Sequence, residues 1–262
     1  MSVTTPGGGA LLDLSPAPAA APTGRRVANH AATEARLVAR NGEQVLLALV
    51  IPVAVLVAGR WWGQRVDLTM AELAPSVLAL AIWSTCFTSQ AIMTGFERRY
   101  GVLERLSATP LGRSGLLAGK ATAYALICVA QVVVLAVVGL ALGWRPRASA
   151  LAWLPALLST VAAMAAFGLL ALAMAGRLKA EVTLGLSNLV YLLGVVGGAV
   201  VWPLRDYPSA VRPVVAVLPT TALGESLRAW GVGHTLWWPL ASLVAWSLVL
   251  ALVARRTFRW VS

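Results

Sequence analysis

Charge is what this sequence has least of. Only 12% of its 262 residues are Asp, Glu, Lys or Arg, whereas about a quarter of a soluble domain is charged. Apolar residues make up 59% of the chain, which is more than an aqueous core of this size buries. The composition therefore excludes an ordinary soluble domain. It predicts an all-α integral membrane protein whose helices cross a bilayer in segments of about 20 residues.

Residues that bind metals or form disulfides are also scarce. The two cysteines, Cys86 and Cys128, fall inside apolar runs without metal-type spacing, so we expect small buried hydrophobes. His30 and His234 stand alone in different regions. An isolated histidine is more often solvated or hydrogen-bonded than a metal ligand. The sequence predicts no metal site.

Catalytic groupings are missing as well. The closest approach to a phosphate-binding loop runs from Gly112 to Lys120, but six residues separate Gly112 from Gly119, and Ala121 stands where Ser or Thr is required. No acid or base lies near the centre of an apolar run, which counts against an ion-coupled carrier. We therefore predict no catalytic or cofactor-binding residue, and no enzyme activity, on this chain.

The net charge of +11 comes from basic residues in short loops between apolar runs. Because they form no single basic face, they favour membrane topology over nucleic-acid binding. The six predicted spans are about 43–62, 74–94, 116–143, 151–175, 182–202 and 235–254. With both termini in the cytoplasm, fourteen basic residues lie inside and seven outside, and this bias sets the orientation. Pro52 should kink the first span.

A tail and a helix are predicted before the first span. Residues 1–28, rich in Pro, Gly and Ala, should be a disordered tail, and 29–262 should form a single transmembrane domain. Residues 30–41 are predicted to be helical, with an apolar face and with Glu34, Arg36 and Arg40 on other faces. The apolar face comprises Val27, Ala31, Ala35 and Val38. Such a helix either lies along the inner membrane surface or is solvated.

The segment 95–120, here called the charged segment, separates the second and third spans. Phe96, Tyr100, Leu103 and Leu106 recur at helical steps and should form one apolar stripe. Charged residues lie off this stripe: Glu97, Arg98, Glu104 and Arg105. Two interpretations stay open. The segment is either a cytoplasmic coupling helix that a partner pushes, or a solvated loop that only sets topology.

The outer segment, 203–233, fits neither a span nor a simple loop. Its apolar run 211–223 is too short to cross and contains Pro213 and Pro219. We expect a re-entrant helix pair on the outer side, with Glu225 and Arg228 near its rim. The alternative is an amphipathic loop lying on the lipid.

The charged segment resembles the cytoplasmic segment of the ATP-binding-cassette (ABC) type-2 permeases, especially bacterial drug-resistance and antibiotic-export permeases. Its matching positions are Glu97, Arg98, Gly101, Leu103, Glu104, Arg105, Thr109, Pro110 and Arg113. Leu218–Pro219 and the pattern from Glu225 to Arg228 also resemble the outer segment of this family.

The resemblance implies a permease subunit in a bacterial plasma membrane, paired with a second, identical or different permease. Two copies of a cytoplasmic ABC ATPase subunit would bind ATP and magnesium, so the permease itself needs no cofactor. The residues implied to couple with the ATPase are Phe96, Glu97, Arg98, Tyr100, Gly101, Leu103, Glu104 and Arg105. Those implied in the outer segment are Pro219, Glu225 and Arg228.

The cargo stays open at this stage. An apolar interior suits efflux of a hydrophobic drug or antibiotic, and it suits the lipid tail of a lipid-linked glycan or other envelope precursor. A non-ABC membrane scaffold or carrier is the remaining alternative.

Overall fold

The computed structural model describes residues 20–42, 46–63 and 69–258, and this part of the chain is helical, with no β-strand. Most of the predicted tail therefore lies outside the described residues. The α-helices, in chain order, are α1 (Thr23–Arg40), α2 (Ile51–Trp62), α3 (Met70–Trp83), α4 (Gln90–Arg99), α5 (Val102–Ser107), α6 (Gly112–Ala141), α7 (Ala150–Ala175), α8 (Ala180–Gly197), α9 (Arg212–Ala216), α10 (Pro219–Gly231) and α11 (Trp238–Thr257).

Five helical stretches among the described residues are long and apolar enough to cross a membrane. They are Met70–Arg99, Gly112–Ala141, Ala150–Ala175, Ala180–Gly197 and Trp238–Thr257. The first predicted span is represented by a shorter apolar helix, Ala48–Trp62, and part of that span lies outside the described residues. The helical membrane architecture is confirmed, and the count of six spans stays a prediction.

The second span is longer than predicted and forms the centre of the bundle. It continues from α3 through a π-helical stretch, Ser84–Ser89, into α4. Its most apolar stretch is 72% buried, against 33% or less in the other four. Trp83 stacks on Phe87 with ring centroids 4.3 Å apart and meets Phe167 of α7 edge-on at 4.6 Å. Aromatic packing therefore fixes this helix against its neighbours.

The fifth span is shorter than predicted, since α8 ends at Gly197 instead of near Trp202. The backbone N–H of Gly198 donates to the Gly194 carbonyl oxygen, and Ala199 follows in a left-handed conformation with φ of 47°. A Cβ at Gly198 would lie 2.4 Å from Thr220 Oγ1. The glycine therefore lets the end of α8 approach α10 closely.

The hydrogen-bond pattern of the first-span helix changes next to Pro52, and the predicted kink stays a prediction. A π-helical turn, Leu46–Val50, precedes α2, and Pro52 lies in the first turn of α2. Proline has no backbone N–H to donate to the Ala48 carbonyl oxygen four residues earlier. That oxygen accepts a 2.6 Å hydrogen bond from Gln131 Nε2 of α6 instead. A distant side chain therefore satisfies the group that proline leaves free.

The connections gather at two ends of the bundle. At one end, Arg26 of α1 donates to the Pro110 carbonyl oxygen, and Arg98 donates to that of Leu178 at 2.8 Å. At the other end, the backbone N–H of Arg147 donates to the Gly231 carbonyl oxygen at 2.8 Å. Helix α1, the charged segment and the turn after α7 thus share one end, as the predicted alternation of spans requires.

Helix α1 packs on the first half of α6 through its predicted apolar face. Ala31 and Val38 are buried there. A Cβ at Gly119 of α6 would lie 2.5 Å from the His30 ring, so this glycine permits the close approach. Glu34 is also buried in this contact, and its predicted place away from the packed face is wrong.

Two helices form in the outer segment, and their re-entry into the membrane stays a prediction. Helix α9 is short, and α10 begins at Pro219, where the missing N–H is tolerated in a first helical turn. Helix α10 packs against α3, α7 and α11, with Thr221, Ala222 and Leu223 almost fully buried. Burial against protein is what a re-entrant helix requires.

Candidate functional site

The charged segment folds as two helical pieces instead of one. Helix α4 ends at Arg99, Gly101 takes a left-handed conformation with φ of 67°, and α5 then runs for only six residues. Glycine adopts this conformation without the penalty that a Cβ brings. The predicted single apolar stripe is therefore wrong, because Phe96 and Leu103 lie on different helices.

The predicted coupling residues divide into an exposed and a buried group. Tyr100, Glu104 and Arg105 are exposed, and Arg105 donates to the Tyr100 carbonyl oxygen at 2.8 Å. Leu103 and Arg98 are buried, while Phe96, Glu97 and Gly101 are half-buried. The exposed group can meet a partner protein, and the buried group holds the segment on the bundle.

A buried lysine lies at the base of the charged segment. The side chain of Lys120 is 1% exposed, and its Nζ lies 2.6 Å from Glu97 Oε2 of α4 and 3.2 Å from Glu34 Oε2 of α1. One ammonium group therefore bridges carboxylates from two other helices. These three residues are called the Lys120 cluster below.

His30 of α1 borders this cluster, with its Nε2 3.7 Å from Glu34 Oε1. Burial lowers the pKa of His30 below its usual 6.5; nearby Lys120 lowers it further, while Glu34 opposes the shift. A lowered pKa favours the neutral imidazole at neutral pH.

Sequence reasoning placed Glu97 in the site but left Glu34, Lys120 and His30 out of it. A signal existed for Glu34, which lies three residues after Ala31 and four before Val38, on the face that packs. Lys120 follows a Gly-xxx-Gly spacing, Gly115 and Gly119, at the start of an apolar helix. An acid on a packing face and a lysine beside small residues indicate a paired charge.

A cavity of about 600 Å³ lies between α2, the second-span helices and α8. Its walls are mostly aliphatic, including Ile51, Val77 and Leu184. Seven polar side chains interrupt them: Asn41, Ser84, Thr88, Ser89, Gln131, Asn188 and Tyr191. Such a lining suits a largely apolar molecule that a few hydrogen bonds orient.

Gln131 ties this cavity to the irregular turns around it. Besides donating to the Ala48 carbonyl oxygen, it accepts a 2.6 Å hydrogen bond from Thr85 Oγ1 through its Oε1. Thr85 belongs to the π-helical stretch of the second span. The side-chain amide of Gln131 therefore joins the first and second spans beside the cavity, at the π-helical turn of each.

The predicted outer residues form a second cluster at the opposite end. Arg228 donates to the carbonyl oxygens of Ala199 at 2.6 Å and Val200 at 2.9 Å. It also donates to Glu225 Oε1 at 2.8 Å and to Ser76 Oγ at 3.1 Å. Arg228 is only 8% exposed, so its predicted place near the rim is wrong. It pins α10 to the end of α8 and to α3.

Pro219 starts α10, and Glu225 also accepts from the Leu204 backbone N–H at 2.9 Å. These contacts give the outer residues a structural role. Within the ranges that the structure describes, no group of three or more His, Cys, Asp and Glu could hold a metal ion.

Comparison with known proteins adds one match. A family model described as "ABC-2 family transporter protein" matches residues 64–256, which is well over half of the chain. No curated protein matches the chain.

Proposed function

This chain belongs to the ABC-2 transporter family and is a transmembrane subunit of an ABC transporter, and we propose that it exports a hydrophobic, drug-like compound. The proposed machine pairs it with a second permease, identical or different, and with two ATPase subunits that hydrolyse ATP. Its proposed place is the bacterial inner membrane, with both termini in the cytoplasm. Association with an ABC ATPase follows from the family.

The observation that carries the cargo proposal is the cavity beside the second span. Aliphatic side chains line most of it, and a bare ion or a free sugar would gain little from such walls. The neighbouring faces of α2 and α8 are apolar and exposed, with Val55, Leu189 and Leu193 among their exposed residues. Lipid or a second permease can cover these faces, so an apolar cargo can enter from the membrane.

The exposed part of the charged segment supports the ATPase proposal. Glu104 and Arg105 are exposed on a short helix whose Leu103 is fully buried, and Tyr100 is exposed just before this helix. A partner that binds α5 therefore pushes on a helix that cannot slide freely. Since nucleotide binding favours one arrangement of the ATPase subunits, this contact would shift the population of permease conformations.

The test is efflux of ethidium, a fluorescent lipophilic cation, from cells that express the permease with its ATPase. We expect lower ethidium accumulation than in cells that carry the permease with a hydrolysis-deficient ATPase. Ser84→Trp, which fills the cavity, should abolish efflux. Leu157→Trp, on an exposed face of α7, is the matched control and should leave efflux unchanged.

Two results would count against drug export. Equal ethidium accumulation with active and inactive ATPase would contradict it, and so would normal efflux by Ser84→Trp. ATP-dependent appearance of a lipid-linked glycan outside the cell, without dye efflux, would favour the envelope-precursor alternative.

A further inference from the structure

We propose that Lys120 is a positioning residue that holds three helices together as one rigid unit. These helices are α1 and the two that precede and follow α5, namely α4 and α6. Movement of the charged segment would then reach the spans and α1 together. The inference rests on the proposed ATPase coupling for its functional meaning, but the rigidity itself is a property of this chain alone.

The first step is the position of the Lys120 cluster along the chain. Glu97 lies in the last turn of α4, four residues before Gly101, and Lys120 lies in the third turn of α6. The 23-residue separation between them contains the whole of α5. The 2.6 Å ion pair therefore closes the loop that carries the exposed coupling residues.

The second step is the burial of the charges. The side chains of Lys120, Glu34 and Glu97 are 1%, 9% and 15% exposed. Moving any one helix away would leave a carboxylate or the ammonium group unpaired in a low-dielectric environment, which is strongly unfavourable. These buried ion pairs therefore resist small displacements of the helices more than an apolar contact does, because apolar side chains can slide past one another.

The third step concerns α1, which is connected covalently to the charged segment only through the first and second spans. Glu34 ties α1 to Lys120, and Arg26 ties it to the Pro110 carbonyl oxygen just after α5. His30 fills the space over Gly119. Three contacts along α1 therefore bind it to the loop that α5 belongs to.

The experiment measures the distance between two nitroxide labels, at Arg36→Cys on α1 and at Ala108→Cys, an exposed position directly after α5, with Cys86 and Cys128 replaced. The permease is reconstituted in nanodiscs with its ATPase subunit, without nucleotide and with ATP plus vanadate. With Lys120 intact we expect one narrow distance distribution that nucleotide leaves unchanged. In Lys120→Met the distribution should become broad.

Three variants separate clamping from folding. Glu34→Gln/Glu97→Gln/Lys120→Met leaves no uncompensated charge and should fold, yet give a broad distribution. Lys120→Arg keeps a cation between Glu34 and Glu97 and should keep the distribution narrow. Lys179→Met, at the chain's other lysine and on the surface, should behave as the parent protein.

The functional readout is ethidium export per ATP hydrolysed by the same complexes in liposomes. Lys120→Met should lower this ratio about tenfold, an ordinary size for coupling between sites, while retaining the bound ATPase subunit. A complex that never binds an ATPase or never exports ethidium contradicts the proposed function. A narrow distance distribution in Lys120→Met or in the triple variant contradicts the clamp, whatever the transport result.

Discussion

Several buried polar side chains of this protein bind backbone carbonyls that helix breaks leave free. Gln131 donates to the Ala48 carbonyl oxygen, which Pro52 cannot bind, and Arg228 donates to those of Ala199 and Val200 beyond the end of α8. In a bilayer no water replaces such partners, so an unpaired carbonyl is costly. These residues are therefore part of the fold more than of a substrate site.

His30 gives a prediction at the scale of one residue. Its lowered pKa means that the unfolded chain binds a proton at a pH where the folded protein does not. Folding stability is then full above the unfolded value of about 6.5 and declines as the pH falls from there toward the lowered folded value. The titratable groups around His30 are Glu34 on its own helix, Lys120 of α6 and, through Lys120, Glu97 of α4.

Thermal unfolding of the detergent-purified protein from about pH 8 to about pH 5 measures this effect. His30→Gln should flatten the loss of stability in the acidic half of the range, because glutamine does not titrate. His234→Gln is the control and should retain the parent profile. Identical profiles for His30→Gln and the parent protein would show that His30 contributes nothing to acid sensitivity.

At the scale of elements, the breaks in helices decide where the exposed residues lie. Gly101 separates α4 from α5, the π-helical stretch Ser84–Ser89 divides the second span, and α8 ends at Gly197. Gly101 and the end of α8 terminate helices, whereas Met70–Arg99 stays one continuous helical stretch through its π-helical part. The charged segment consequently presents Tyr100 and Glu104 outward while Leu103 stays buried.

Gly101→Ala is the prediction for this element. A Cβ at φ of 67° costs about 1–2 kcal/mol, and relief of this strain would tilt α5. We expect weaker binding of the ATPase subunit with little change in insertion, measured by co-purification and by titration of the purified ATPase subunit. Gly185→Ala, on α8 with open space around it, is the control. Equal affinity for Gly101→Ala and the parent would contradict a role for this turn.

At the scale of the whole molecule, the ends of the bundle carry the topology. Five stretches among the residues that the structure describes are long enough to cross, and the shorter Ala48–Trp62 helix decides whether the number of crossings is odd or even. A helix of that length is about 22 Å, short of the roughly 30 Å hydrocarbon core. The predicted location of both termini inside requires that this helix crosses.

Labelling with a membrane-impermeant maleimide tests the topology in intact cells, with the two native cysteines replaced. Val211→Cys in the outer segment should react, whereas Glu104→Cys and Arg36→Cys should react only after the membrane is made permeable. Reaction of Arg36→Cys from outside would mean that the first helix does not cross. Reaction of Glu104→Cys from outside would contradict the proposed orientation and the ATPase contact.

The sequence by itself determined the helical membrane class and the approximate places of the five long apolar stretches that the structure describes, because the length of an apolar run is a local property. The resemblance in the charged segment also pointed to the family that residues 64–256 match. Local patterns predicted a single coupling helix, which the left-handed Gly101 divides.

Only the tertiary structure decided which charges are buried and with whom they pair. Glu34 and Lys120 are 86 residues apart, and nothing in the local pattern of either fixes the other as its partner. Their contact exists because Gly119 lets α1 approach α6, just as the cavity exists because α2 and α8 flank the second span. Pairing across helices depends on packing, and packing is a property of the assembled bundle.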